Sequence, residues 1–188
     1  ATSGITVTLT VDQTGGAATG APFGLVDTPL QGAAGVVGTI GVTGWVLDDV
    51  GIERVRLYRN CLPFEDQLAC QLVDGQSVVF MGDATLVAGA RPDIEGAYPT
   101  YPQNGRAGWG YAILTNLSPH IPNQQMFGGE GPLTIYIRAR DVEGHEAWVG
   151  RNFLPGSTTE SDELPTAITM ANDTIAKPFG TIDTPQQG

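Results

Sequence analysis

Two histidines, two cysteines and two pairs of acidic residues are the side chains of this sequence best suited to chemistry, and their surroundings favour structural roles. His120 lies in SPHIPN and His145 in EGHEAW, and neither is close in sequence to a cysteine or to a Gly-x-Ser-x-Gly motif. A hydrolase needs an activated nucleophile within reach of a base. The sequence therefore predicts no catalytic residues, and we interpret both histidines as turn or strand-edge residues of a protein that is not an enzyme.

Four acidic residues fall in segments typical of tight turns between strands: Asp48, Asp49, Asp141 and Glu143. Calcium prefers six to eight hard oxygen ligands, so these carboxylates would form a calcium site if both turns lay at the same end of the fold. In the competing interpretation, the aspartates cap their own turns through backbone hydrogen bonds, as Asp commonly does. No Asp-x-Asp-x-Asp-Gly loop is present, and calcium is the only cofactor that the sequence suggests.

The two cysteines, Cys61 and Cys70, lie nine positions apart in NCLPFEDQLAC, with no second cysteine pair and no nearby histidine to complete a zinc site. This spacing predicts a disulfide that closes a local loop, and the alternative is a pair of buried free thiols. A ring of this size would stabilise the fold by roughly 2–3 kcal/mol and would indicate an oxidising compartment.

A third candidate site is an aromatic platform in the Pro-, Gly- and Tyr-rich stretch that begins at Ala90. Tyr98, Tyr101 and Trp109 could stack against sugar rings, since aromatic faces are common in carbohydrate sites. The alternative places Trp109 in the core and assigns the Pro-Tyr pairs to stiffening a loop.

Charge excludes some classes of partner. The formal net charge is −11, Lys177 is the single lysine and the arginines are scattered, so no basic stripe is available for a phosphate backbone and we expect no nucleic acid partner. No apolar run approaches the ~20 residues of a membrane span, so we expect no membrane insertion. The N-terminus lacks the basic start and apolar run of a signal peptide, so we expect a chain already processed or cut from a longer one.

Most of the chain reads as short strands separated by turns, because glycine and proline are abundant (26 and 13 residues) and apolar residues alternate with polar ones. The clearest strand is GITVTLTVD, in which the apolar face consists of Ile5, Val7, Leu9 and Val11. Further strands are predicted up to Leu47, from Ile52 to Tyr58, and in SVVFMG, ATLVAG, WGYAILTN, PLTIYIRARD, EAWVGRNFL and TAITMAND.

Several of these segments are similar to a known family. GWVLDDVGIERVRLY and LTIYIRARDVEGHEAWVG resemble the hairpins of bacterial immunoglobulin-like modules, and the motifs around PFGLVDTPLQG, GDATLVAGARPD and RAGWGYAILTN resemble a subfamily found in tandem in large secreted bacterial proteins. The resemblance implies an all-β, immunoglobulin-like antiparallel β-sandwich with a long Pro/Gly/Tyr-rich insertion, extended terminal segments and an extracellular setting. It brings no catalytic residues. The cysteine loop and PGSTTESDELP depart from the family pattern.

The chain also repeats itself. PFGLVDTPLQG begins at Pro22 and PFGTIDTPQQG begins at Pro178, and eight of their eleven positions are identical. We therefore divide the chain into an N-terminal strand with a Gly-rich linker (1–21), one sandwich module (22–177) and the start of a repeated element (178–188).

These echoed ends favour a non-catalytic extracellular module that assembles end to end with copies of itself or with neighbouring modules, as a fibre subunit or as a repeat in a surface protein. The residues expected at the joint are Ile5, Val7, Leu9, Val11, Pro178, Phe179 and Ile182. An unpaired amphipathic strand is an edge suited to pairing with another sheet. The alternative is a carbohydrate-binding or spacer module of a secreted enzyme, which would bind surface glycans.

Overall fold

The computed structural model describes residues 20–66, 68–151 and 165–171, which form ten β-strands, one short α-helix and two 3₁₀ turns. The strands are β1 (Phe23–Thr28), β2 (Ala33–Val36), β3 (Thr39–Leu47), β4 (Ile52–Asn60), β5 (Gln71–Val73), β6 (Gln76–Val87), β7 (Gly108–Leu114), β8 (Gly131–Asp141), β9 (Glu146–Arg151) and β10 (Thr166–Met170). The helix α1 is Pro92–Ala97, and the 3₁₀ turns are Asn104–Arg106 and Thr115–Leu117.

Seven of the strands close into a mixed β-barrel, so the prediction of an immunoglobulin-like antiparallel β-sandwich is wrong. Neighbouring strands around the barrel are β1, β3, β7, β6, β4, β8 and β9. The ring closes because β9 pairs with β8 on one edge and with β1 on the other, where Leu25 lies opposite Gly150 in parallel register. Closure leaves no second sheet to face the first, and a sandwich requires two.

Two strands make closure possible. β6 is one twelve-residue strand where the sequence predicts two short ones, and it pairs with β4 through Val78–Ala84 and with β7 through Thr85–Val87. A β-bulge interrupts its register with β4 between Leu57 and Tyr58. Because bulges bend a strand and increase its twist, β6 can follow the curvature of the wall from one neighbour to the next. β1 then completes the ring from within the first copy of the repeated PFG element.

The barrel interior contains the main hydrophobic core, which alternate residues of the wall supply. Along β8, Leu133, Ile135 and Ile137 point inward and are 0–2 % exposed, which confirms the alternation that the sequence predicts for this strand. Trp109 of β7 and Val149 of β9 belong to the same core.

A second hydrophobic cluster lies on the outer face of β1 and β3, under the Pro-rich excursion between β6 and β7. Trp45 and Leu47 are buried there against Ile94 of α1 and Ala107. Two contacts attach this segment, residues 88–107, to the barrel wall. The Val46 N–H donates to the Ala107 carbonyl at 2.9 Å, and Arg91 forms an ion pair with Asp27. The Pro/Gly/Tyr-rich insertion that the sequence predicts therefore covers the outer face of the barrel.

The barrel has two distinct ends. The turn end carries the β3–β4 and β8–β9 connections, residues 48–51 and 142–145, and the disulfide end carries the loop between Cys61 and Cys70. The described chain enters at the turn end, where the Gly20 N–H donates to Asp49 Oδ2 at 3.3 Å. It leaves at the disulfide end, since Met170 of β10 pairs with Gly131 at the start of β8. Entry and exit are therefore on opposite ends.

Candidate assembly site

At the turn end, the two acidic turns lie side by side, as a calcium site would need. The Val142 N–H donates to the Gly51 carbonyl at 3.1 Å and so joins the turns. Asp141 is fully buried, and its Oδ1 accepts the backbone N–H groups of Glu143, Gly144 and His145 at 2.8, 2.5 and 2.8 Å. Its Oδ2 lies 2.7 Å from His145 Nδ1. Asp141 therefore caps its own turn.

The expected calcium ligands do not converge. Within residues 20–66, 68–151 and 165–171, no group of three or more His, Cys, Asp or Glu side chains is arranged to hold a metal ion. Asp49 is exposed beside Gly20, and Glu143 is exposed on the neighbouring turn. The structure thus brings the turns together and gives Asp48 and Asp141 the capping role.

The Asp141–His145 pair makes this turn sensitive to pH. Burial opposes ionisation of Asp141, but hydrogen bonds from His145 and from three backbone N–H groups hold its pKa below the ordinary value. The hydrogen bond to Asp141 raises the pKa of His145. The contribution of Asp141 to stability is present above its unfolded pKa near ~3.9 and lost as pH falls through the folded value. That of His145 is present below its unfolded pKa near ~6.5 and lost as pH rises through the folded value.

Asp48 on the neighbouring turn differs from Asp141 in its hydrogen bonding. It is also buried, with 1 % exposed, but among the described residues its Oδ2 has no hydrogen-bond partner. Burial raises its pKa, whereas Oδ1 accepts the Val50 N–H at 2.9 Å. Asp48→Asn keeps that acceptor and removes the buried charge, so we expect it to raise the free energy of unfolding at pH 7 by up to about 1 kcal/mol. Asp141→Asn should lower it by about 1–3 kcal/mol. Urea unfolding measures both, and shifts of the same sign would contradict the assignment.

The predicted aromatic platform is not assembled. Trp109 is 2 % exposed inside the barrel core, so its face is not available to a sugar. Tyr98 and Tyr101 are half-buried in the other cluster, where their rings lie 5.8 and 5.4 Å from the ring of Phe23. The three residues belong to different cores on opposite sides of the wall, and they act as packing groups.

At the disulfide end, a buried ion pair joins Arg59 of β4 to Glu65 in the loop between Cys61 and Cys70. The Cys61–Cys70 bond is present, with a Cα–Cα distance of 5.7 Å, which confirms the prediction. Arg59 donates to both carboxylate oxygens of Glu65, with Nη1 2.6 Å from Oε2, and the Leu62 N–H donates to Oε2 at 2.9 Å. Burial opposes ionisation of Glu65, but these donors hold its pKa below the ordinary value. The loop is thus anchored to the end of β4.

We expect loss of the disulfide to cost about 2–3 kcal/mol, the chain-entropy value for a ring of this size. The paired variant Cys61→Ser/Cys70→Ser leaves Arg59 and Glu65 in place, so the barrel should still fold. Thermal unfolding of this variant beside the oxidised parent measures the difference. An equal transition temperature for the two proteins would contradict a stabilising role.

Above this ion pair, the barrel wall has a groove of about 330 Å³ between β6 and β7. The two strands pair only through Thr85–Val87 and Gly108–Gly110, and they diverge toward the disulfide end. The groove is lined by Arg59, Val79, Phe80, Met81, Tyr111, Ala112, Ile113, Leu114, Leu117 and Ser118. Most of these side chains are apolar, so the opening is a hydrophobic slot in the wall.

Tyr111 closes the slot where the strands begin to diverge. Its hydroxyl donates to the Met81 carbonyl at 2.8 Å. Its ring packs on Gly82, where an added Cβ would lie 2.7 Å from Tyr111 Cε2. Because Gly82 has no side chain, the tyrosine ring fits between the two strands. The Tyr111 hydroxyl then takes the place of a backbone donor of β7 at the Met81 carbonyl. The slot is therefore closed toward the turn end, and toward the disulfide end β5 pairs with Gln76–Val78 on the same edge of β6.

Exposed apolar side chains lie around the slot at the disulfide end of the barrel. Leu117 is 59 % exposed, and Phe127 is close to it in space because the Gly128 N–H donates to the Asn116 carbonyl at 3.1 Å. Other large apolar residues exposed at this end are Leu72, Phe80, Leu114 and Met126. We call the slot and this rim the β6–β7 groove.

The remaining predicted residues have simple placements. His120 is buried near the groove, with Nε2 2.9 Å from Glu130 Oε2 and Nδ1 accepting the Asn123 N–H at 3.2 Å, which fits the predicted turn role. The expected joint residues lie outside the described residues: Ile5, Val7, Leu9, Val11, Pro178, Phe179 and Ile182. The groove residues were not predicted, and their one sequence signal is Gly82, which interrupts the apolar runs VVFM and ATLV.

Comparison with known proteins gives no further assignment. No protein-family model matches the chain, and no curated protein matches it. In the part of the chain that the structure describes, no helix is long and apolar enough to cross a membrane.

Proposed function

We propose that the protein is a non-catalytic, extracellular structural subunit that assembles end to end with copies of itself. The observation that carries this proposal is the polarity of the fold: the described chain enters the barrel at the turn end and leaves at the disulfide end. A unit with unlike ends can form head-to-tail contacts that repeat without closing, which is the geometry of a fibre or a tandem array.

Two further features support the proposal. The disulfide hints at an oxidising compartment, where such bonds form and persist. Most of the exposed large apolar groups lie at the disulfide end and could be covered by a partner, whereas the turn end exposes Val142 among capped polar turns. Unlike ends of this kind favour a heterologous contact between one end and the other.

The size of the particle in solution tests the proposal. We expect the mass of the full chain, measured by light scattering after size-exclusion chromatography, to rise with concentration from 19.7 kDa to whole-number multiples of it. Oligomers whose mass keeps rising with concentration indicate head-to-tail growth, whereas a dimer that grows no further indicates a symmetric contact. A constant mass of one chain at every concentration would contradict self-assembly.

A further inference from the structure

We infer that the second repeated element, residues 178–188, closes the barrel of a neighbouring copy by taking the place of β1 between β3 and β9. The position that residues 22–32 occupy in the structure is called the β1 site below. This inference rests on the proposed function, and it names the segment and the site that make the joint. Its grounds are the contacts made in the β1 site, the sequence of the second element and the direction in which the chain leaves the barrel.

The β1 site selects particular side chains in the first half of the element. The Phe23 ring packs against the rings of Trp45 and Tyr101, with centroids 5.9 and 5.4 Å away. Gly24 leaves room for the neighbouring strand, because a Cβ there would lie 2.1 Å from the Trp45 carbonyl oxygen. Val26 is 1 % exposed and belongs to the barrel core. This half of the site therefore accepts an aromatic residue, a glycine and a buried apolar residue in fixed order.

The second half of the element is held by polar contacts. Asp27 forms an ion pair with Arg91 of the insertion. Gln31 Oε1 accepts the Ala167 N–H at 2.8 Å, and the Gly32 N–H donates to the Ala167 carbonyl at 2.8 Å. The element is thus bound on one side by the insertion and on the other by β10.

The second element carries the residues that the β1 site selects. The eight positions identical to the first element are Pro178, Phe179, Gly180, Asp183, Thr184, Pro185, Gln187 and Gly188. They include the aromatic residue, the glycine that has no room for a side chain, the acid opposite Arg91 and the final Gln-Gly pair. The contacts described for the first element are therefore open to the second as well.

The three differences also fit the site. Ile182 falls at the buried position of Val26 and keeps it apolar. Gln186 falls at the position of Leu30, which is 51 % exposed, so a polar side chain there meets solvent. Thr181 falls at the fourth position of the element, which is half-buried. None of the three places a charge in the core.

The direction of the chain favours the β1 site of another copy. β1 begins at the turn end, where Phe23 lies opposite Leu47, and it runs toward the disulfide end. The described chain leaves at the disulfide end after Met170. Residues 171–177 can span up to about 25 Å, so they can join the disulfide end of one copy to the turn end of the next. The second element then enters that site in the direction in which β1 runs, whereas its own site would require the chain to reverse along the wall.

The joint is an exchange, because the β1 site of each copy already holds the first element. Exchange preserves most contacts of the barrel, since eight of the eleven side chains are the same. Exchange of like elements between copies is a low-cost route to assembly, and a donor and an acceptor at opposite ends give contacts that repeat without closing. Because the first element competes from within its own chain, we expect exchange to increase with concentration.

Disulfide trapping in the full chain tests this inference. In the β1 site, Thr28 Oγ1 lies 2.7 Å from Thr43 Oγ1 of β3, and Thr184 falls at the position of Thr28 in the second element. After oxidation, Thr43→Cys combined with Thr184→Cys should give covalent multimers at whole-number multiples of 19.7 kDa on a non-reducing gel. Thr43→Cys combined with Thr28→Cys should instead cross-link within one chain, hold the first element in place and keep the protein at the mass of one chain.

Two further variants separate the inference from random cross-linking and from loss of folding. Thr43→Cys combined with Gln186→Cys places the second thiol outside the register with β3, so it should give no multimers. Gly180→Ala adds a methyl group at the position where Gly24 has no room for one, so it should stay at the mass of one chain. Its transition temperature should equal that of the parent at low concentration, because its own first element still closes the barrel.

The outcomes distinguish the β1 site from the wider proposal. If the parent assembles but the Thr43→Cys/Thr184→Cys protein gives no multimers, self-assembly stands and the exchange is overturned. A Gly180→Ala protein that assembles as the parent does would overturn the exchange in the same way. If the parent stays at the mass of one chain at every concentration and the cysteine pair gives no multimers, the proposed function and the exchange both fail.

Discussion

Glu65→Ala is expected to lower the free energy of unfolding by about 3–5 kcal/mol, the cost of removing one partner from a buried ion pair. The Glu65 side chain is fully buried and accepts hydrogen bonds from both terminal nitrogens of Arg59 and from the Leu62 N–H. Alanine leaves the guanidinium at the barrel end without its counter-charge, and it also releases the first turn of the disulfide loop.

Denaturant unfolding at pH 7 measures this loss, and Asp83→Ala is the matched control. Asp83 pairs with Arg56 at 3.1 Å on the outer face, where it is 58 % exposed, so its removal should cost no more than ~1 kcal/mol. Because the pKa of Glu65 is lowered by its donors, its contribution is present above the unfolded pKa and declines as pH falls through the folded value. Equal losses for the two variants would contradict the role of the buried pair.

Gly44→Ala is expected to destabilise the barrel by about 3 kcal/mol or more, because the new methyl group has no room. At this position of β3, a Cβ would lie 2.1 Å from the Leu25 carbonyl oxygen of β1 and 2.7 Å from Cζ2 of Trp109. The backbone of β1 cannot move away without loosening its pairing with β3, and β1 is the strand that completes the ring with β9.

Gly41→Ala on the same strand is the control, since its nearest neighbour would be the Thr43 methyl group at 3.8 Å. We expect this change to alter the free energy of unfolding by less than ~1 kcal/mol. The transition temperatures of both variants and of the parent, measured by thermal unfolding, show whether the two substitutions differ in cost. A Gly44→Ala protein as stable as the Gly41→Ala protein would show that β1 and β3 do not approach as closely as the closed barrel requires.

The individual strands were largely predictable, because each carries its own alternation or turn signal. Leu133, Ile135 and Ile137 mark β8 in the sequence, and the DDVG and VEGH turns bound β3, β4, β8 and β9 as expected. Closure was not predictable, because the parallel pairing of β1 with β9 joins segments more than 120 residues apart and depends on no local pattern. The family resemblance also favoured two separate sheets, and the closed ring contradicts that expectation.

Some features of the candidate site were also predictable from the sequence, and others were not. The disulfide could be predicted from the spacing of two cysteines, and the capping role of Asp141 was one of two interpretations of its turn. The core placement of Trp109 was likewise one of two interpretations, whereas the packing of Tyr98 against Phe23 on the outer face could not be predicted, since it depends on which face of the insertion meets the wall. The groove arises from the divergence of two strands, a tertiary feature that neither strand encodes alone.

Negative-stain electron microscopy of the full chain, imaged across a range of concentrations, tests end-to-end assembly most directly. We predict unbranched fibres whose two ends differ, with an axial repeat of roughly 30–40 Å, since the eleven residues of β8 span about 36 Å along a tilted strand and loops extend beyond it. Separate particles the size of a single barrel at every concentration would contradict the proposal that this protein is an assembling subunit.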